Sequence, residues 1–408
     1  MVSETIELKG HIIDTHTLAR VLDGILSFGG EFEIEEMQVG RTNSDETRAR
    51  IRVTAPAPDV LDSIVGFIEK EGAHRIELQD AHLEPCEKDG VLPKGFYCTT
   101  NLPTSIRVDG AWIPIEQMEM DCGIAYEDGR AFIIPMCRAK RGQMVVVGHD
   151  GIRVETPRRA SASGSFEFMT STVSSEKPKT LMVEEVANRI RETKNMGKKV
   201  LLVGGPAIVH AGAGAAVEEM IRDEWIEVVF AGNAFALHDI EYSFYGTALG
   251  VSLEKGTPTP HGHEHHLRAV NEIRRIGSIA EAVNQGALTK GIMRQCVLKG
   301  VPYVLCGSIR DDGPLPEVIT DALEAQDAMR KYVPEIGLAI MVATTLHSVA
   351  TGNLLPAEVG VVCVDINPAV CTKLADRGTQ QAIGVITDAA LFMKELAEVL
   401  KRQRAASS

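Results

Sequence analysis

Polar residues in this 408-residue chain gather just after short apolar runs, which is where chemistry is expected. Gly232-Asn233-Ala234 follows the run Glu227–Ala231, and His238, Asp239 and Glu241 come next. Asn233 offers an amide to a ligand. The acids after it serve either a site or a helix start, where they complement the helix dipole. Gly307-Ser-Ile-Arg-Asp-Asp-Gly-Pro-Leu-Pro316 follows Tyr303–Cys306 and is the densest polar stretch. Arg310 suits bidentate capture of a carboxylate. Asp311 or Asp312 suits an ammonium group or a ribose. The alternative is a capped loop with proline near the first helical turn. Thr344-Thr345-Leu346-His347-Ser348 follows Ala339–Val342 and sets hydroxyls and N–H groups at a helix start, an arrangement that binds phosphate. Asp365 ends the run Gly360–Val364; an acid there holds a ribose diol and repels a 2′-phosphate, favouring NAD over NADP. Asp388 is a similar acid, or the cap of the next helix.

Other motifs are weaker. Gly204-Gly205-Pro206-Ala207 lets a backbone approach a phosphate, but proline at 206 breaks the Gly-x-Gly-x-x-Gly fingerprint. Gly212 and Gly214 read as packing glycines inside a helix. His261-Gly-His263-Glu-His265-His266 lacks the His-Glu-x-x-His spacing of a zinc site. It reads as a loop entering a helix at Leu267 or, alternatively, as carrying a substrate-facing histidine, and no metal is expected. Met120-Asp121-Cys122 interrupts a strand pattern; it either points to a cleft or is packed. No Cys-x-x-Cys pair occurs among the eight cysteines, so buried free thiols in a reducing compartment are expected.

These groups need a scaffold, and the patterning supplies three. Residues 1–85 read as β-α-β-β-α-β, a ferredoxin-like split βαβ module. Its strands are expected at Thr5–Ile13, Glu31–Val39 and Thr47–Thr54, and its second helix at Asp59–Lys70. Residues 86–158 carry recurrent Asp-Gly hairpin signals at 89–90, 109–110, 128–129 and 150–151 and read as a small all-β, barrel-like unit. Residues 159–180 lack periodicity and read as a linker. Residues 181–408 alternate apolar strands with helices, as in a doubly wound, Rossmann-like α/β domain with a parallel sheet. Its strands are expected at Lys199–Val203, Glu227–Ala231, Tyr303–Cys306, Ala339–Val342, Gly360–Val364 and Ala382–Val385. The 42 basic and 56 acidic residues give a net charge of −14, which argues against nucleic-acid or anionic-membrane partners. No long apolar stretch and no basic-apolar leader occur, so a cytoplasmic protein is expected.

Several strings resemble one family: Gly232-Asn233-Ala234, His238-Asp239-Ile240-Glu241, Gly307 to Pro316, Val364-Asp-Ile-Asn-Pro368, His11-Ile-Ile-Asp14, Gly95-Phe96-Tyr97 and Val147-Gly-His149. They resemble the archaeal-type ornithine cyclodeaminases with a LOR/SDH domain, also found as the C-terminal part of cyanobacterial bifunctional arginine-degrading enzymes. The resemblance spans about Ile6 to Leu400. It implies a C-terminal domain of the deoxyhypusine-synthase type. It also implies conversion of L-ornithine to L-proline and ammonia with NAD recycled: hydride abstraction from Cα, cyclisation by the δ-amine, ammonia loss and hydride return. Carried onto this chain, the NAD residues are Asn233, Ala234, Asp312, Thr344, Thr345, Leu346, His347, Asp365 and Asp388. The substrate-site candidates are His263, His266, Asp239 and Arg310, with Asp121 and Cys122 from the β unit. A homo-oligomer, dimer or tetramer, is expected by analogy. With no arginine-hydrolysing segment before residue 1, arginine itself is not an expected substrate. Rival readings are another NAD-dependent amino-acid or diamine enzyme, dehydrogenase or deoxyhypusine-synthase-like, and a non-catalytic amino-acid or nucleotide sensor.

Overall fold

The structure is a computed structural model that describes residues 1–13, 16–40, 45–75, 79–155, 173–174, 179–311, 313–376 and 382–407. It divides into two compact units: Met1–Met169 with Leu355–Ala357, and Thr170–Leu354 with Glu358–Ser408. The linker expected over 159–180 lies outside the described residues, apart from Val173–Ser174 and the start of the helix Lys179–Asn195.

The first unit opens with a four-stranded antiparallel sheet. Val2–Gly10 lies between Thr47–Ala55 and Ala73–Arg75, and Glu31–Gln38 is the far edge. Strict alternation on Thr47–Ala55 sends Ala49, Ile51 and Val53 to one face, where they are fully buried. Helices Thr17–Ser27 and Pro58–Lys70 cover that face through Val21, Ile25, Ile64, Val65 and Ile68. This is the ferredoxin-like arrangement. The first strand sits three residues earlier than expected, because Gly10 has φ +135° and ends it.

A seven-stranded sheet follows, in the order Ile152–Val154, Thr104–Val108, Ala111–Glu116, Arg130–Ile134, Gly123–Glu127, Met144–Val147 and His82–Pro85. Asp109-Gly110 and Asp128-Gly129 have positive φ at both positions, as two-residue hairpin turns of the favoured twist require. The other two Asp-Gly pairs serve differently. Asp89 accepts the Arg141 N–H at 2.9 Å. A Cβ at Gly151 would stand 2.2 Å from the Ala81 nitrogen, so Gly151 permits a backbone crossing.

The second unit holds an eight-stranded parallel sheet. Its order is Val173–Ser174, Ala382–Ile386, Gly360–Asp365, Ile336–Val342, Lys199–Gly204, Val228–Gly232, Tyr303–Cys306 and Val318–Ile319. Central strands such as Lys199–Gly204 are buried on both faces, which explains their unbroken apolar runs. Phe235 and Ile240 pack on the sheet from one helix, and Phe392, Met393 and Leu396 from Ala389–Ser407. All six expected strands form, Tyr303–Cys306 with the expected bounds and the other five with ends shifted by one to three residues. The two outer strands, of two residues each, were too short to leave a pattern. Of the glycines at 212 and 214, only the second lies in a helix, and at its first position. Gly212 has φ +75° in the turn after Ala207–His210, and Gly214 starts the helix Gly214–Arg222, so the left-handed turn divides the two helices. No helix among the described residues is long and apolar enough to cross a membrane.

Candidate active site

The strand order reverses between Lys199–Gly204 and Ile336–Val342: the chain builds the sheet outward in one direction through residue 319, then returns and builds it in the other. In open parallel sheets such a reversal opens a crevice beyond the carboxyl ends, and ligands bind there. Here the crevice is lined by backbone. Gly205 donates its N–H to the Val342 carbonyl at 2.9 Å. Ala343 adopts φ +51°, unusual for a residue with a side chain. A Cβ at Gly205 would lie 1.8 Å from the Ala343 oxygen, and one at Gly232 would lie 2.7 Å from His347 Cε1. Glycine is the residue that fits at both places.

Thr344 precedes the helix Thr345–Leu354, and its Oγ1 lies 3.4 Å from His347 Nδ1. Burial lowers the His347 pKa and keeps the ring neutral. Ser348 donates its hydroxyl to the Thr344 carbonyl, and Leu346 stands out at 76% exposure. Thr345 is exposed as well. Asp365 ends its strand half-exposed; its Oδ1 accepts the Asn367 N–H at 2.8 Å, leaving Oδ2 for another donor. Asp388 caps the C-terminal helix, accepting the Leu391 N–H at 2.9 Å.

Asn233 is buried at the start of its helix, and Ala234 follows it half-exposed. Its amide nitrogen donates to Asp311 Oδ1 at 3.2 Å and its oxygen accepts the Leu315 N–H at 3.1 Å. Asp311 also accepts the Ser308 N–H at 2.7 Å. Asn233 therefore latches the polar loop onto the strand tip. Arg310 lies exposed on that loop beside Ile309, and Asp312 lies outside the described residues.

Glu241, on the same helix as Asn233, is wholly buried. Its Oε1 accepts Thr247 Oγ1–H and Gly250 N–H, each at 2.9 Å; its Oε2 lies 2.9 Å from His238 Nδ1 and accepts Leu249 N–H at 3.1 Å. Burial pushes its pKa up, but the donors from His238, Gly250 and Thr247 outweigh this and hold it below the usual range. An ionised carboxylate only accepts, so His238 donates from Nδ1, leaving Nε2 as an acceptor while the ring is neutral. The His210 ring meets the His238 ring edge-on, with centroids 4.5 Å apart. On the other side Thr247 Oγ1 lies 2.9 Å from His265 Nδ1, and His265 stacks on Tyr245.

The remaining candidates are dispersed. Asp239 is buried and turned to the helix Ile292–Lys299, whose Ile292 and Met293 N–H groups it accepts at 2.9 and 2.8 Å. It is a helix cap and does not join the crevice. His263 is 80% exposed beside Glu264, and His266 is half-buried on the helix His265–Ile276, which starts two residues earlier than expected. Among the described residues no His, Cys, Asp and Glu cluster is arranged to hold a metal. Asp121 and Cys122 belong to the first unit. Asp121 has φ +61° in an exposed turn; Cys122 is buried, and its N–H donates to Thr99 Oγ1 at 3.0 Å.

Sequence reasoning passed over His210 and Thr247. Gly205 was noted only as a glycine that lets a backbone approach a phosphate, and His265 only as a member of the histidine cluster. The i,i+3 spacing of His238 and Glu241 was the available signal for a carboxylate–imidazole pair.

A doubly wound parallel sheet with a glycine-lined crevice at its order reversal and an acid at a neighbouring strand end defines a Rossmann-type nucleotide-binding α/β protein. Family models match nearly the whole chain. Residues 3–102 match the LOR/SDH bifunctional enzyme conserved region. Residues 103–183 and 184–396 match the C-terminal first region and the C-terminal Rossmann fold of the ArgZ-like arginine dihydrolases. The ornithine cyclodeaminase of Methanopyrus kandleri is 50% identical over 98% of both chains. The crystal structure of a conserved LOR/SDH protein from Methanococcus maripaludis is similar at 47% identity and TM-score 0.76, covering 80% of this chain and 100% of that one. The complex of AgrE with ornithine and NAD+ is similar at 38% identity and TM-score 0.55, covering 99% of this chain and 58% of that one. AgrE is named for Nostoc sp. as a bifunctional arginine dihydrolase/ornithine cyclodeaminase. The chain belongs to the ornithine cyclodeaminase family that carries the LOR/SDH region.

Proposed function

We propose that this chain is an NAD-dependent ornithine cyclodeaminase, an ammonia-lyase that converts L-ornithine to L-proline and ammonia. The observation that carries the reading is the crevice at the strand-order reversal, in a chain whose family includes a protein solved with ornithine and NAD+. Proton and charge balance is simple: the ornithine monocation yields zwitterionic proline and an ammonium ion.

The residues present fit NAD. Gly205 and Gly232 keep side-chain volume out of the crevice. The start of Thr345–Leu354, with Thr344, Thr345, Leu346 and His347, presents N–H groups and hydroxyls for a pyrophosphate. Asp365 is the ribose acceptor, with Asp388 near the next strand end. Asn233 and Ala234 open the helix Asn233–Tyr245 after another strand of the same sheet, and Asp312, assigned by the resemblance alone, lies outside the described residues. When bound, NAD supplies a hydride acceptor that gives the hydride back within the same turnover. The chain's own part is to bind both molecules, deprotonate the amine and exclude water from the imine.

Cytoplasmic location and self-association complete the reading. Self-association rests on family analogy; the open groove of about 820 Å3 that pairs Phe244, Tyr245, Leu267 and Ala287 with Glu264, Arg268, Asn271 and Glu272 is a mixed surface that a second copy could cover. The direct test is an endpoint assay with purified protein, L-ornithine and NAD, detecting proline and ammonia by mass spectrometry. Proline formation that requires only catalytic NAD supports the reading; bound NAD with no proline overturns the substrate.

A further inference from the structure

We propose that His210, His238 and Glu241 form the proton-handling array of this site, with His210 Nε2 the atom that meets the substrate's amino group. The inference rests on the cyclodeaminase reading and extends it to residues outside the nucleotide-binding set.

Three independent observations lead to it. First, His210 Nε2 is buried with no hydrogen-bond partner. Leaving a buried polar atom unpaired costs about 1–3 kcal/mol, so such an atom calls for an explanation by a ligand, a water or a function. Second, burial and the neighbouring His238 lower the His210 pKa to about 4, so the ring is neutral at neutral pH and carries one acceptor nitrogen to offer. A neutral imidazole acceptor is the natural counterpart of an ammonium donor. Third, both histidines lie on helices that leave the crevice. His210 ends Ala207–His210, four residues past Pro206, and His238 lies five residues past Asn233. At 1.5 Å per residue that is about 6 and 7.5 Å from the strand tips, within reach of a five-carbon diamino acid.

The array supplies what proton abstraction needs. An N–H bond of the substrate ammonium breaks, its electron pair stays on nitrogen, and the proton goes to His210 Nε2. Burial and His238 disfavour the cation formed, and the Glu241 carboxylate, which holds His238 Nδ1, is the group that favours it. Glu241 carries the compensating negative charge, and four donors fix its orientation. Glu241 and Thr247 are positioning residues. The titratable groups facing the array are Glu241 on the His238 helix, His210 on the short helix and, through Thr247, His265 on its own helix. Asp239 faces away, toward Ile292 and Met293.

A purely structural role would be to fold the loop 247–250 around Glu241, and the test separates the two. His210→Gln and His238→Gln are made in the full chain and compared with wild type for kcat, KM, NAD affinity by calorimetry and the pH dependence of kcat. The expected result is a ~100-fold or greater loss of kcat, NAD affinity held within about threefold, and a changed acidic limb of the pH profile. Activity within about fivefold of wild type with an unchanged profile overturns the proposal. Long-range proton–nitrogen NMR of the wild-type imidazoles is the second arm, needed if a variant fails to fold. Ornithine added to the NAD complex must move the His210 and His238 resonances while the exposed His82 stays put; unmoved resonances overturn the proposal. Wild-type protein that makes no proline, yet whose two histidines respond to a diamine, sinks the function reading and leaves the amine site standing.

Discussion

Gly205 and Ala343 touch through backbone at the point where the sheet reverses: a Cβ on Gly205 would fall 1.8 Å from the Ala343 carbonyl oxygen. The obstacle is main chain, held by the Gly205 N–H bond to Val342, so it cannot swing aside as a side chain would. Gly205→Ala therefore prises the two strand tips apart. The expected cost is about 1–3 kcal/mol of stability, as for other overpacked sites, and at least a ~10-fold rise in the NAD dissociation constant. Thermal melts and calorimetry read both. Gly214→Ala is the control, because nothing lies within 4 Å of its Cβ position. NAD affinity unchanged in Gly205→Ala would move the nucleotide site away from the reversal.

The Asn233 latch yields a second prediction. Its amide bonds both Asp311 and the Leu315 N–H, so Asn233→Ala frees the loop and orphans a buried N–H. A loss of about 1–3 kcal/mol is expected, with weaker NAD binding. Asn233→Asp keeps the acceptor for Leu315 but sets a carboxylate against Asp311. Its deficit should exceed that of Asn233→Ala at low ionic strength and shrink as added salt screens the two like charges, which calorimetry over a salt series detects. A salt-independent deficit would show that the Asp311 contact carries no weight.

Legibility differed by level. The α/β class and the six central strands could be read because strands buried on both faces run apolar almost end to end, as Lys199–Gly204 does from Val200 onward. The ferredoxin-like module could be read because Thr47–Ala55 alternates without error. Candidate site residues could be placed from the sequence only where side chains stand at strand tips, as Asn233, Thr344 and Asp365 do. Asp239 misled, because a buried carboxylate capping a helix 53 residues away in sequence has the same local pattern as a site acid. Its true partner is set by tertiary packing. His210 was invisible for the same reason: its relation to His238 exists only once two helices lie side by side.

Asp365 gives a sharper test of cofactor choice. One of its oxygens accepts the Asn367 N–H, which leaves the other for the ribose diol that the proposed function assigns to this strand end. Asp365→Ala should raise the NAD dissociation constant ~10-fold or more, about 1.4 kcal/mol, and narrow the preference over NADP by removing the repulsion of a 2′-phosphate. Both dissociation constants are measurable by fluorescence quenching or calorimetry. Unchanged values for both cofactors would remove Asp365 from the site.

Asp239 should act on stability and not on turnover. Burial pushes its pKa from 3.8 up to about 7, against the pull of the Met293 and Ile292 N–H groups, with Glu218 adding to the rise. The sign follows from proton counting. Between 3.8 and about 7 the native carboxyl keeps a proton that the unfolded chain has released. Stability from this group is therefore full at the acidic end and declines as pH rises through that window. Asp239→Asn cannot ionise, so the wild type's advantage over the variant should shrink from pH 4 to 7 by as much as a few kcal/mol. Glu241, whose pKa is depressed, contributes the opposite slope to both proteins and cancels in the difference. Denaturant melts at several pH values measure that difference. At pH 7.5 the variant's kcat should stay within about threefold of wild type, since its amide oxygen still caps one helix N–H. A ~100-fold loss of kcat in folded Asp239→Asn would return this residue to the catalytic centre.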